Sequence, residues 1–207
     1  MAQDNKKIES ICVFGDSTAW GAWDMEKGGL VNRLWFYINE KTNGETEIYN
    51  LSISGGTTET ILERFESEAK IREADALIFQ SGGNDSCLKS KNGPNQIPID
   101  QFRKNIEEII KKTRDITPNI IFIGFKNVNE AKTAPVSRED IYYVNTEIKK
   151  YNEVMKIVCE KNDILYLNIF GLLNNEDFED GLHPNSVGHE KIFTKVKDFL
   201  MENKWII

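Results

Sequence analysis

The sequence predicts a three-layer α/β fold around a five-stranded, mainly parallel sheet. Strand-like apolar runs alternate with segments of helical spacing along the chain. The first run is continuously apolar and stops abruptly at Gly15-Asp16-Ser17, as a strand buried on both faces does when it reaches the edge of a sheet. No low-complexity linker and no internal repeat breaks the alternation, so residues 1–207 read as one domain. At 207 residues and 40% hydrophobic content, such a chain can bury a substantial core without disulfides.

In chain order, the strand candidates are residues 11–14, 48–53, 76–80, 120–125 and 164–169. Leu30, Leu34 and Ile38 form the first helical stripe, and Ile61, Leu62, Phe65 and Ala69 the second. Phe102, Ile106, Ile109 and Ile110 make the third. Ile141, Val144, Ile148, Tyr151, Met155 and Val158 make the fourth, and Ile192, Val196, Phe199 and Leu200 the last. The connection 127–138, with Pro135 inside it, reads either as a flap over one face or as an ordinary surface loop.

A net charge of −7 argues against a general nucleic-acid or anionic-membrane surface, both of which want a basic face. No run approaches the roughly 18–20 apolar residues of a spanning helix. The polar opening Met1-Ala2-Gln3-Asp4-Asn5-Lys6-Lys7 lacks the apolar stretch of a signal peptide, so a cytoplasmic location is expected. Cys12, Cys87 and Cys159 are odd in number and unrelated in spacing, which indicates neither a disulfide framework nor a zinc site. Cys12 reads as a small core residue and Cys87, with no activator beside it, as structural. No metal and no cofactor is expected.

In an open parallel sheet, chemistry collects beyond the carboxyl ends of the strands. The first strand runs into Gly15-Asp16-Ser17 and the second into Ser52-Ile53-Ser54-Gly55-Gly56-Thr57-Thr58. The third ends in Ser81-Gly82-Gly83-Asn84-Asp85. Taken alone, each is ordinary turn composition. On neighbouring strands, the three converge in space.

Only two histidines are available as a base. His189 lies at the start of the last amphipathic stretch and reads as structural or solvent-facing. His183 lies in Glu179-Asp180-Gly181-Leu182-His183-Pro184-Asn185, where Pro184 keeps it out of helical geometry and suits the first position of the following helix. With Gly181 inside, this short loop can fold Asp180 back onto the imidazole, fixing its tautomer and freeing the other nitrogen to take a proton. The pieces fit one mechanism: Ser17 as nucleophile, His183 as general base and Asp180 as its orienter. The oxyanion donors are then the N–H groups of Ser17 and Gly55 and the side-chain amide of Asn84. Asp16 reads as a brace for the turn.

These segments resemble the blocks of the SGNH (GDSL-type) hydrolase family. Gly15-Asp16-Ser17 is similar to its first block, with Thr18 where many members have leucine, and Ser54-Gly55 to its second. Gly82-Gly83-Asn84-Asp85 is similar to the third block and Asp180-Gly181-Leu182-His183-Pro184-Asn185 to the fifth. The blocks come in the family's order and span most of the chain. The resemblance implies a flavodoxin-like sandwich, metal-free ester hydrolysis and an acyl-enzyme on the serine. It carries over Ser17, Gly55, Asn84 and His183 as signature positions and Asp180 as the third triad member. Gly56 beside Gly55 leaves the backbone donor open to a one-residue shift.

The expected substrate is a small carboxylic ester. A carbohydrate or metabolite deacetylase, a short-chain acyl esterase, a lysophospholipase and a thioesterase all stay open, because specificity belongs to loops such as 21–29, 89–98 and 127–138. Trp20 and Trp23 either line an acyl or sugar site or pack on the core. Two other classes compete. A metal-dependent phosphoesterase wants more histidines and denser carboxylates, and an aspartyl-phosphate route through Asp16 wants a second acid where Thr18 stands. The other rival is a binding module that keeps the fold without turnover. Oligomeric state is not legible in the sequence.

Overall fold

The structure is a computed structural model that describes residues 7–136 and 140–207. Five strands, β1 (Ser10–Gly15), β2 (Glu47–Asn50), β3 (Ala76–Gln80), β4 (Ile120–Ile123) and β5 (Leu165–Leu167), form one sheet in the order β2-β1-β3-β4-β5. Every neighbouring pair is parallel, so the sheet is wholly rather than mainly parallel. The order reverses at β1, which has β2 on one side and β3 on the other; a parallel sheet opens a crevice at such a point.

The strands are apolar throughout because both faces are covered, and the period of two sorts their side chains between two cores. Cys12, Phe14, Leu77, Phe79, Ile120 and Phe122 point to one core, and Ile11, Val13, Ala76, Ile78, Ile121 and Ile123 to the other. The first core is closed by α3 (Thr58–Leu62), α4 (Phe65–Lys70), α6 (Ile99–Arg114) and α8 (Asn145–Lys161). The second is closed by α2 (Gly29–Thr42) and α9 (Ser186–Glu202). Short helices α1 (Ser17–Trp20), α5 (Gly83–Ser86) and α7 (Glu130–Thr133) follow the ends of β1, β3 and β4.

Several expected boundaries move, each for a local reason. The fourth strand ends at Ile123, and Phe125 is held by the Asn152 side chain instead of a ladder. Asn152 Oδ1 accepts from Phe125 N at 2.7 Å, and its Nδ2 donates to Phe125 O at 3.0 Å. The second and fifth strands are likewise shorter than their apolar runs. The second helical stripe is two helices, broken at Glu63-Arg64, where the Arg64 guanidinium turns inward to donate to Leu51 O at 2.6 Å. The fourth stripe begins too early: Ile141 and Val144 precede α8, and Tyr142 between them pairs in both directions with Leu88. The last helix starts at Ser186 with Asn185 as its cap, so Pro184 lies outside it rather than in its first position.

The connection after β4 is not a free loop. Its Asn127 side chain donates to Leu173 O and accepts from Gly171 N, and α7 follows. The last two residues of the expected flap, 137 and 138, lie outside the described residues. Among those described, no helix is long and apolar enough to cross a membrane.

Candidate active site

Ser17 is the first residue of α1, directly beyond the carboxyl end of β1. Gly15 lets strand and helix join this tightly, since a Cβ there would come within 2.7 Å of Gln80 O and 2.5 Å of Ala19 Cβ. Asp16 braces the turn as expected: its Oδ1 accepts from Thr18 N at 2.8 Å and caps the helix.

The loop before α9 brings a histidine to this serine. Ser17 Oγ and His183 Nε2 lie 2.9 Å apart, and His183 Nδ1 lies 2.7 Å from Asp180 Oδ2. The other carboxylate oxygen accepts from the N–H groups of Leu182 and His183 at 2.9 and 2.7 Å, so Asp180 shapes the loop and orients the ring together. Burial works to raise the Asp180 pKa, but the His183 ring and these two N–H groups outweigh it and hold the carboxyl well below the usual range. An ionised carboxylate only accepts, so Nδ1 carries the proton and Nε2 is left to accept from the serine hydroxyl.

The second and third strand ends meet beside this chain of bonds. Ile53 N donates to Gly15 O at 3.0 Å, and Asn84 Nδ2 donates to Gly56 O at 2.9 Å. The N–H of Gly56 is engaged with Ile53 O at 2.9 Å, whereas that of Gly55 has no partner among the described residues. Gly55 sits at φ 78°, which favours glycine. Among the described residues, nothing beyond its chain neighbours lies within 4 Å of where its Cβ would be, so the ground in front of it is open.

His189 is fully buried, and its Nε2 bonds Ala22 O at 2.9 Å, tying α9 to the loop after the serine. Burial pushes its pKa down. It is structural. Trp20 and Trp23 are 55% and 51% exposed, which settles against packing on the core. Cys12 and Cys87 are buried free thiols with pKa values pushed up by burial, as inert cysteines have.

Three residues of the site escaped the sequence reading. Lys126, just past β4, is buried in the wall of a cavity of about 20 Å³ that it shares with Asp16, Gln80 and Tyr143. Its signal was available, since it too stands at a strand end. Asp85 is fully buried, and its two oxygens accept from Thr58 N at 3.1 and 3.2 Å; it also bonds the Thr58 hydroxyl. Burial pushes its pKa up to about 7 against the pull of those bonds. Asp85 thus fastens the start of α3, and the Gly55-Gly56 turn before it, to the third strand end. Tyr143 donates from its hydroxyl to Asn84 Oδ1 at 2.7 Å, a contact from a distant segment that no local pattern announces. Among the described residues, no group of three or more His, Cys, Asp or Glu side chains is placed to hold a metal ion.

Known proteins resemble this chain in sequence and in fold. A rat isoamyl acetate-hydrolyzing esterase 1 homologue is 24% identical over 199 residues, covering 88% of this chain and 78% of its own. A lipase/acylhydrolase from Enterococcus faecalis superposes with a TM-score of 0.76 at 20% identity, over 95% of this chain and 97% of that one. A catalytic mutant of Axe2, an acetylxylan esterase from Geobacillus stearothermophilus, does so with a TM-score of 0.73 at 17% identity, over 97% of each. These likenesses match the all-parallel sheet flanked by helices on both sides. The model of the GDSL-like lipase/acylhydrolase family matches residues 13–191, from the strand that carries Ser17 to the helix behind His183. The chain belongs to that family.

Proposed function

We propose that the protein hydrolyses small carboxylic esters through an acyl-enzyme on Ser17. The observation that carries this reading is the unbroken hydrogen-bond chain from Ser17 Oγ through His183 to Asp180, at 2.9 and 2.7 Å. His183 Nε2 takes the hydroxyl proton as Oγ attacks the ester carbon. The negative charge on the former carbonyl oxygen is met by the N–H groups of Ser17 and Gly55 and by the Asn84 amide. Collapse expels the alcohol, which receives its proton from His183. Water, activated by the same nitrogen, then releases the acid. Gly55 is the backbone donor in preference to Gly56, whose N–H is already spent within the turn.

Trp20 lies three residues after Ser17 on α1, so both project from one side of that helix. Its half-exposed indole is a surface for the substrate beside the nucleophile, with Trp23 as a second. Two of the relatives above are named for acetate esters, of xylan and of isoamyl alcohol, which makes acetyl the first acyl group to try.

The test is hydrolysis of p-nitrophenyl esters from acetate upward by the parent and by Ser17→Ala, with a fluorophosphonate probe on both. The parent is expected to turn over the short esters and to take the label on Ser17. The variant is expected to lose on the order of 10³-fold or more in kcat and to stay unlabelled. A folded Ser17→Ala protein with the parental rate would remove the reading. So would a parent that neither reacts nor labels, which is what a binding module would give.

A further inference from the structure

The amide of Asn84 can serve an oxyanion only if its nitrogen, not its oxygen, faces the substrate, and an asparagine has no intrinsic preference between the two. Its neighbours decide. Gly56 O accepts from Nδ2 at 2.9 Å, which uses one of the two amide hydrogens and leaves the other for a ligand. The Tyr143 hydroxyl donates to Oδ1 at 2.7 Å. A carbonyl on one side and a hydroxyl donor on the other specify the same orientation. The Tyr143 hydroxyl also meets the Cys87 thiol, but the phenol has a single proton and the amide oxygen is the far better acceptor.

Tyr143 is itself held in place. Its N–H donates to Thr133 O at 2.9 Å, and Thr133 Oγ1 donates to Tyr143 O at 2.8 Å. Its neighbour Tyr142 pairs with Leu88 in both directions, at 2.9 and 3.0 Å. Thr133 ends α7, and Asn129 at the other end of α7 donates its N–H to Gly181 O, inside the Asp180–His183 loop, at 2.9 Å. One connection therefore touches both halves of the site, the base and the oxyanion donor.

We propose that Tyr143 is a positioning residue for ester hydrolysis, its hydroxyl fixing the Asn84 amide with Nδ2 toward the oxyanion. The proposal rests on the reading of Asn84 as an oxyanion donor. With the hydroxyl gone, only the bond to Gly56 restrains the amide, Oδ1 is left without its donor, and the side chain swings about the remaining bond. The charge that develops in the transition state then meets a less prepared donor, while ground-state binding is little changed.

A double-mutant cycle with p-nitrophenyl acetate separates this from a structural role. Asn84→Ala alone is expected to lower kcat by about 10²–10³-fold. Tyr143→Phe, which keeps the ring, is expected to lower kcat by about tenfold with KM within about twofold and a melting temperature within about 3 °C of the parent. In the Asn84→Ala background, Tyr143→Phe is expected to cost nothing further, because there is no amide left to orient. Thr133→Val loosens the Tyr143 backbone without touching either partner, and the same pattern at about two- to threefold is expected; it carries the test should Tyr143→Phe fail to fold. Three results overturn the proposal while leaving Asn84 in the site: a parental kcat in Tyr143→Phe, a loss confined to KM, or an equal loss with and without Asn84. A parental kcat in folded Asn84→Ala removes the underlying donor assignment, and this proposal with it.

Discussion

Lys126 stands past the end of β4 with 7% of its surface exposed, and its surroundings work against its charge. Burial pushes its pKa down to about 8, against the pull of the Asp16 and Asp180 carboxylates. Asp16 is the mirror case: burial pushes its pKa up, and Lys126 and the Thr18 N–H work to lower it. For Lys126 the consequence is one of stability. Between pH 8 and 10.5 the unfolded chain keeps a proton at this position that the folded chain has released, so stability rises with pH across that window. Lys126→Met should erase this rise and lift the melting temperature at pH 7 by about 5 °C. A variant whose melting temperature follows the parent's from pH 7 to 10.5 would show that the fold does not resist the ammonium.

At the scale of elements, the strands were legible because strands buried on both faces are continuous apolar runs, and β1, β3 and β4 need no alternation to be seen. Their stacked phenylalanines show what that apolarity does. Phe79 lies between Phe14 and Phe122, with ring centroids 5.7 and 5.0 Å away and near-parallel planes, and Phe65 of α4 meets it edge-on at 5.6 Å. Phe79→Ala should cost about 3–5 kcal/mol, a loss of about 10 °C in melting temperature. Ile71→Ser, at a position 80% exposed, should change it little; equal losses would mean the stack is not what holds the sheet to this layer. Helix limits were less legible. Ile141 and Val144 continue the spacing of α8, but that segment spends its backbone bonds on Leu88 and Thr133, and apolar periodicity cannot register a tertiary bridge. That Ser17, Asp180 and His183 come together was legible because such a constellation is confined to a few residue types at turns. Tyr143 and Asp85 were not, because each acts through one partner far away in sequence: Asn84 for Tyr143, Thr58 for Asp85.

The whole molecule has to keep the serine and the histidine, 166 residues apart in sequence, within one hydrogen bond of each other. Part of that work falls to Arg33 of α2, buried between the loop after Ser17 and the start of α9. Its Nε and Nη2 donate to the two oxygens of Asp24 at 2.7 and 3.0 Å, its Nη2 donates also to Ser186 O at 3.1 Å, and Nη1 pairs with Glu190. His189 adds a second tie through Ala22 O. Burial works to raise the Asp24 pKa, but Arg33 and the N–H groups of Gly29 and Lys27 outweigh it and hold the carboxyl well below its ordinary 3.8. The stability this contributes is whole above about pH 4 and is lost as the pH falls below it, because the unfolded chain then takes up a proton that the folded chain resists. Asp24→Asn leaves the guanidinium with Glu190 and one carbonyl, and at pH 7 should cost about 3 kcal/mol. Below pH 4, the gap between parent and variant should narrow progressively, since the unfolded parent takes up a proton at Asp24 and the variant has none to take up. Because Arg33 bridges the two sides of the site, the variant should also lose kcat at temperatures where it is still folded, and Ser17→Ala should show the parental acid unfolding curve. Parallel stability curves for parent and Asp24→Asn from pH 7 to pH 2 would show that the buried pair does not set the acid limit of the fold.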